Sequence, residues 1–137
     1  MKKVLKIVAI ISMLLLTVFA GGCGKSQEEK YTEARNEFVA LQQQFDKDYQ
    51  VYNKKHNTGK NAGKPTLEFY EEYVKIVGTF QKEADKKLQN MSELAKGKFE
   101  LTKDVDQMKQ EYHKKYDFYL NMLKDAEEGV KIFKNKK

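Results

Sequence analysis

Lys96-Gly97-Lys98 is the stretch on which the architecture of this chain turns. Before it lies the most regular apolar stripe in the sequence, running from Tyr70 and Tyr73 through Val77, Phe80, Ala84 and Leu88 to Met91 and Leu94, broadened by Leu67, Val74 and Ala95. After it a second stripe runs from Leu101 and Val105 through Tyr112, Tyr116 and Leu123 to Val130 and Phe133. Both recur in steps of three and four, the spacing that places side chains on one face of an α-helix. Gly97 suits the left-handed conformation that closes a helix, so the preferred reading is a turn between two helices, about 66–96 and 99–134. The alternative is a single long rod, since a glycine inside a helix costs only about 1 kcal/mol.

The first of these stripes is too wide for one neighbour and asks for two. The second supports a compact bundle: strict seven-residue spacing would bring Lys115 and Gly129 inside, so the stripe drifts with a 3.6-residue period. Upstream, Asn57 to Pro65 holds two glycines, two asparagines and the only proline, and reads as a loop. Thr66 follows as a suitable N-cap, with Glu68 and Glu71 placing negative charge in the positive first turn. Before the loop, Tyr31, Ala34, Phe38, Leu41, Phe45 and Tyr52 mark a third amphipathic helix, about 28–56, with Asp48 spoiling one position and Tyr49 covering beside it. The expected fold is an all-α, antiparallel three-helix bundle over 29–137. Segments of about 45 Å each, at 1.5 Å per residue, then pack side by side.

Residues 23–28 read as a short polar tether. Residues 1–22 look different. Lys2, Lys3 and Lys6 precede an uncharged run from Ile7 to Gly22, which is the anatomy of an export signal. The run is shorter than the roughly 20 residues that cross a bilayer and ends in Gly21-Gly22, so cleavage between Gly22 and Cys23 is expected over retention as a membrane helix. The whole chain carries a net charge of +6; removal of the leader takes three lysines and no acid, leaving +3. That is too weak to argue for nucleic acid.

Ala20-Gly21-Gly22-Cys23 resembles the lipobox of bacterial lipoproteins, in which small residues precede a cysteine that receives a diacylglyceryl group. The resemblance covers the first 23 residues, with Ala20 standing where the family most often has leucine. It implies a covalent lipid on Cys23 (diacylglyceryl, with palmitate among the acyl chains), signal cleavage at Gly22–Cys23, and a protein held on the extracytoplasmic face of the cell membrane. Gly24, which is not acidic, favours the outer membrane where the cell has two. Two acyl chains give durable anchoring where one is marginal. Cys23 is also the only cysteine, so its modification leaves no thiol for a disulfide, a zinc site or a nucleophile.

Candidate chemistry beyond the anchor is sparse. His56 and His113 are the only histidines, and both read as solvated surface residues. Gln110 stands three residues before His113, where a helical carboxylate–His metal motif needs an acid. His-Glu-x-x-His, Gly-x-Ser-x-Gly and a strand-borne phosphate loop are missing too. No metal, no cofactor beyond the lipid and no enzymatic activity are expected, with His113 the one handle for a metal. With Cys23 at the membrane, an up-down-up bundle brings Lys54, Lys55, Lys60 and Lys64 together with Lys131, Lys134, Lys136 and Lys137 at the far end, partly offset by Asp125, Glu127 and Glu128. This basic tip suits an anionic cell-wall polymer or an envelope protein. The alternative is a structural spacer or oligomeric coiled coil between membrane and wall, with Lys137 as a point of covalent attachment. Tyr49, Tyr52, Tyr70 and Tyr73, just beneath the tip, lie on or beside the apolar stripes and read as core.

Overall fold

Two hydroxyls start two of the helices. Ser26 Oγ accepts from Glu29 N at 3.2 Å and Thr66 Oγ1 from Phe69 N at 3.1 Å, each satisfying an amide that the first helical turn leaves without a partner. In the computed structural model, which describes residues 24–136, α1 runs over Gln27–His56, α2 over Leu67–Leu94 and α3 over Phe99–Asn135. The fold is an all-α, antiparallel three-helix bundle. The leader, Cys23 and Lys137 lie outside the described residues.

Gly97 does turn the chain. Its φ is +78°, and Lys98 N donates to Ala95 O at 3.1 Å across the turn. Lys98 offers no capping side chain at the start of α3; Thr102 Oγ1 reaches back to Ala95 O at 3.2 Å instead. Gln27, at the start of α1, seals the same junction, its Nε2 donating to Leu94 O at 2.7 Å and Lys96 O at 2.8 Å. At 37 residues α3 is the longest of the three and matches the 99–134 expected from the sequence to within a residue; its last turns lie beside the start of α2, with Phe133 against Tyr70.

The broad stripe of α2 has the two neighbours it requires, α1 and α3. Those two are held further apart from each other and meet through long side chains. Phe38 and Tyr112 bring their rings to 5.8 Å; Phe45 stacks on Phe80 of α2 at 4.1 Å and receives the edge of Tyr116 at 5.5 Å. Asp46 accepts from Lys115 Nζ at 2.7 Å and Tyr116 Oη at 3.1 Å. Nearer the chain entry, Asp104 accepts from Tyr31 Oη at 2.6 Å and Arg35 Nε at 2.9 Å. Aromatic rings fill the wider seam, and charge-assisted bonds close its rim.

Candidate binding surface at the loop end

The 57–66 connection is folded onto the helix ends. Gly63 N donates to His56 O at 3.0 Å, Ala62 N to Gly59 O at 3.2 Å and Lys64 N to Asn61 O at 3.0 Å. Thr58 Oγ1 continues the α1 pattern by donating to Lys54 O at 2.7 Å. The loop borders an open recess of about 420 Å³ whose lining includes Lys55, His56, Lys60, Lys64, Thr66 and Glu68, with Thr58 and Asn61 beside them.

His56 departs from the expectation of a solvated histidine. Its side chain is only 10% exposed and its Nε2 lies 2.8 Å from Glu72 Oε2. Tyr52 and Phe69 pack on the ring at centroid distances of 4.7 and 5.3 Å. The hairpin between α1 and α2 brings one aromatic from each side, and that pairing buries a residue that sits at a loop edge in the sequence. His113 is solvated, 60% exposed, with Asp117 beside it at 2.9 Å.

The lysines expected at the tip divide into two groups. Lys55 bonds Glu68 at 2.7 Å and also Glu72, and Lys134 lies 3.6 Å from Glu71. These contacts pin the hairpin and the end of α3 to α2. The hydrogen bonds it donates to Glu68 and then Glu72 raise the pKa of Lys55. Burial pushes Glu72 upward, but the bonds from Lys55 and His56 outweigh it and hold its carboxyl below the ordinary range. Lys54, Lys60, Lys64 and Lys131 form no ion pair among the described residues, and Lys136 Nζ lies 5.5 Å from the centroid of the Phe133 ring. Lys137, Gly22 and Cys23 lie outside the described residues.

Sequence alone does not bring Glu68, Glu71 and Glu72 against these lysines, because their meeting depends on the register of the α1–α2 hairpin and on where α3 ends. The consequence is a loop end of mixed charge, with unpaired amines on the loop at Lys60 and Lys64 and on the adjoining helix ends at Lys54 and Lys131. The tyrosines beneath it belong to the core: Tyr52 and Tyr73 are buried, and Tyr49 and Tyr70 pack against them. Tyr52 Oη donates to Phe69 O at 3.0 Å and Tyr73 Oη to Tyr119 O at 2.7 Å.

Among the described residues no cluster of three His, Cys, Asp or Glu side chains is placed to hold a metal ion, and no helix is long and apolar enough to cross a membrane. No family model, curated protein or solved structure matches the chain.

Proposed function

We propose that this chain is an exported lipoprotein, anchored through Cys23, that works as a non-enzymatic binding module with its loop end directed away from the membrane. The observation that supports this most directly is topological. Gly24 enters beside the α2–α3 turn, where Gln27 bonds Leu94 and Lys96, whereas the 57–66 loop and the last turn of α3 lie at the opposite end of α1, about 45 Å away for a 30-residue helix. An anchor at one end leaves the other as the exposed working surface.

The ligand class that fits the loop end is a polyanion, with the phosphate or carboxylate groups of a wall polymer as the first choice. Lys60 and Lys64 supply mobile ammonium groups around the recess, with Thr58 and Asn61 as neutral hydrogen-bonding neighbours. Such contacts are individually weak and salt-sensitive. A repeating ligand compensates through multiple engagement.

The test is sedimentation of the chain from Lys25 onward with isolated cell wall, at low and high salt. The wild-type protein is expected to pellet with the wall at low salt and to be released by salt. Replacing Lys60 and Lys64 with glutamine is expected to abolish pelleting while leaving the helical circular-dichroism spectrum unchanged. Equal pelleting of the two proteins would sink the loop-end assignment.

A further inference from the structure

Phe99 is the most exposed large apolar side chain among the described residues, at 78%. It is also the first residue of α3. Its ring borders one end of an open recess that continues along α3 past Thr102, Lys103 and Asp106, so the apolar surface it offers lies at the start of the helix. That end is the one where the chain enters the bundle: Gln27 bonds the carbonyls of Leu94 and Lys96, and Lys98 Nζ lies 2.9 Å from Glu28 of α1.

The charges around Phe99 are layered. Lys25 lies on the entry segment, and Lys96 and Lys98 on the turn; their carboxylate partners Glu33, Glu93 and Glu28 all lie within helices. Lys96 and Lys98 thus stand on the turn itself with their partner acids in the helices behind, while the Lys25 ammonium reaches back along α1 to Glu33 and Glu100 adjoins Phe99 in the first turn of α3. The uncharged Ile7–Gly22 run and Cys23 immediately precede Gly24 in sequence. Whether the membrane is reached through acyl chains or through that run, it is reached from this end.

We propose that the Lys96-Gly97-Lys98-Phe99 corner docks into the headgroup layer of an anionic membrane, with the Phe99 ring as an apolar wedge and Lys25, Lys96 and Lys98 as contacts to lipid phosphates. An exposed aromatic beside the turn lysines Lys96 and Lys98 has the composition of an interfacial anchor, although Glu100 follows it directly in the first turn of α3. Exposed ion pairs contribute little, so the lysines exchange their glutamate partners for phosphate readily. One ring and three lysines bind a vesicle weakly from solution, but the tether makes the contact intramolecular and raises its effective concentration to the millimolar range. The docking rests on the anchored reading given above and adds a second point of attachment. The anchor before α1 and the wedge at the start of α3 together set the tilt of the bundle and hold the loop end outward.

The chain has no tryptophan, so Phe99→Trp in the full-length, membrane-extracted protein provides a single reporter. Reconstitution is into phosphatidylcholine vesicles containing one quarter phosphatidylglycerol, with and without brominated lipid. Ile132→Trp, at an exposed position near the loop end, is the control with the same intrinsic preference for interfaces. Expected are a blue-shifted emission and strong bromolipid quenching at position 99, and neither at 132. On wild-type vesicles, trypsin is expected to cut after Lys96 and Lys98 severalfold more slowly than after Lys60 in the opposite loop, and Phe99→Ser is expected to remove that protection.

Protein that floats with the vesicles while position 99 stays unquenched overturns the docking and leaves the anchor standing. Quenching at both positions means that the bundle lies flat, which overturns the upright docking. Protein that fails to float removes the anchor and the docking together.

Discussion

The hydroxyl of Tyr112 is the one buried side-chain polar atom without a hydrogen-bond partner among the described residues, and the residue is 1% exposed. Its ring packs against Phe38, Phe80 and Tyr116 at centroid distances of 5.8, 5.9 and 5.6 Å. Tyr73 is the contrasting case, equally part of the core but with its hydroxyl bonded to Tyr119 O. A buried donor without a partner bears the full desolvation cost, whereas a bonded one returns a net gain. Tyr112→Phe keeps the ring and removes the orphan hydroxyl, so it is expected to stabilise the bundle by about 1 kcal/mol; Tyr73→Phe is expected to destabilise it by about the same amount. Urea unfolding of the two variants beside the wild type measures both. A lower midpoint for Tyr112→Phe means that the hydroxyl has found a bound water. Both tyrosines read as core residues in the sequence, and nothing in their spacing tells the satisfied hydroxyl from the orphan.

Helices and loops were legible at the level of elements because each rests on local chemistry: a 3.6-residue apolar period, a hydroxyl cap at Thr66, and a glycine with positive φ at position 97, whereas the Ser26 cap lay inside the stretch read as tether. Register was not. The burial of His56 and the pairing of Lys55 with Glu68 and Glu72 follow from how α1 and α2 slide against each other, which is a sum of many packing terms with no local signature. Gly129 shows the boundary between the two kinds of information. It stands out in sequence as a gap in the stripe of α3, but only the packing explains it: a Cβ built there would lie 2.8 Å from three ring atoms of Tyr70. At Gly78, also mid-helix, the nearest atom to such a Cβ is Leu123 Cδ1 at 3.9 Å, an ordinary contact. Alanine in a helix is favoured over glycine by about 1 kcal/mol. Gly78→Ala is therefore expected to raise the thermal midpoint, and Gly129→Ala to lower it because the Tyr70 ring must move off the end of α3. Adding Tyr70→Ala to Gly129→Ala removes the clash, so the double variant should cost less than the two single effects combined. Additive effects would mean that the ring shifts freely and that Gly129 is not a packing constraint.

Across the whole molecule, the ionisable groups make stability depend on pH in two opposite ways. Burial, the leading cause in each case, raises the phenols of Tyr31, Tyr49, Tyr52, Tyr73, Tyr112 and Tyr116 above the ordinary 10.0. A folded-state pKa above the unfolded one gives stability that is full below the unfolded value and is lost as pH rises through the folded value. Carboxylates of the opposite kind guard the acid side. The Lys98 hydrogen bond lowers Glu28. At Glu72 and Asp104 burial pushes upward but is outweighed, by Lys55 and His56 at the first and by Arg35 and Tyr31 at the second. Their stabilisation is present above the ordinary values of 4.5 and 3.8 and is lost as pH falls through the depressed ones. Asp48, raised by burial, works against them, since it favours the fold at low pH and costs stability as pH rises through its pKa. Six phenols against three exposed or half-exposed carboxylates, which a fourth, Asp48, opposes, make the alkaline arm the steeper. The phenols also span the bundle, from Tyr31 near the chain entry to Tyr52 beneath the loop, within one continuous core. Ionising any of them requires opening a structure they all share. On raising the pH past about 10, phenolate absorbance and loss of helical circular dichroism are therefore expected to rise together in a single transition. Phenolate absorbance that grows in stages while the helical signal holds would show that the two ends open separately, and the entry end and the loop end would then not be one cooperative unit.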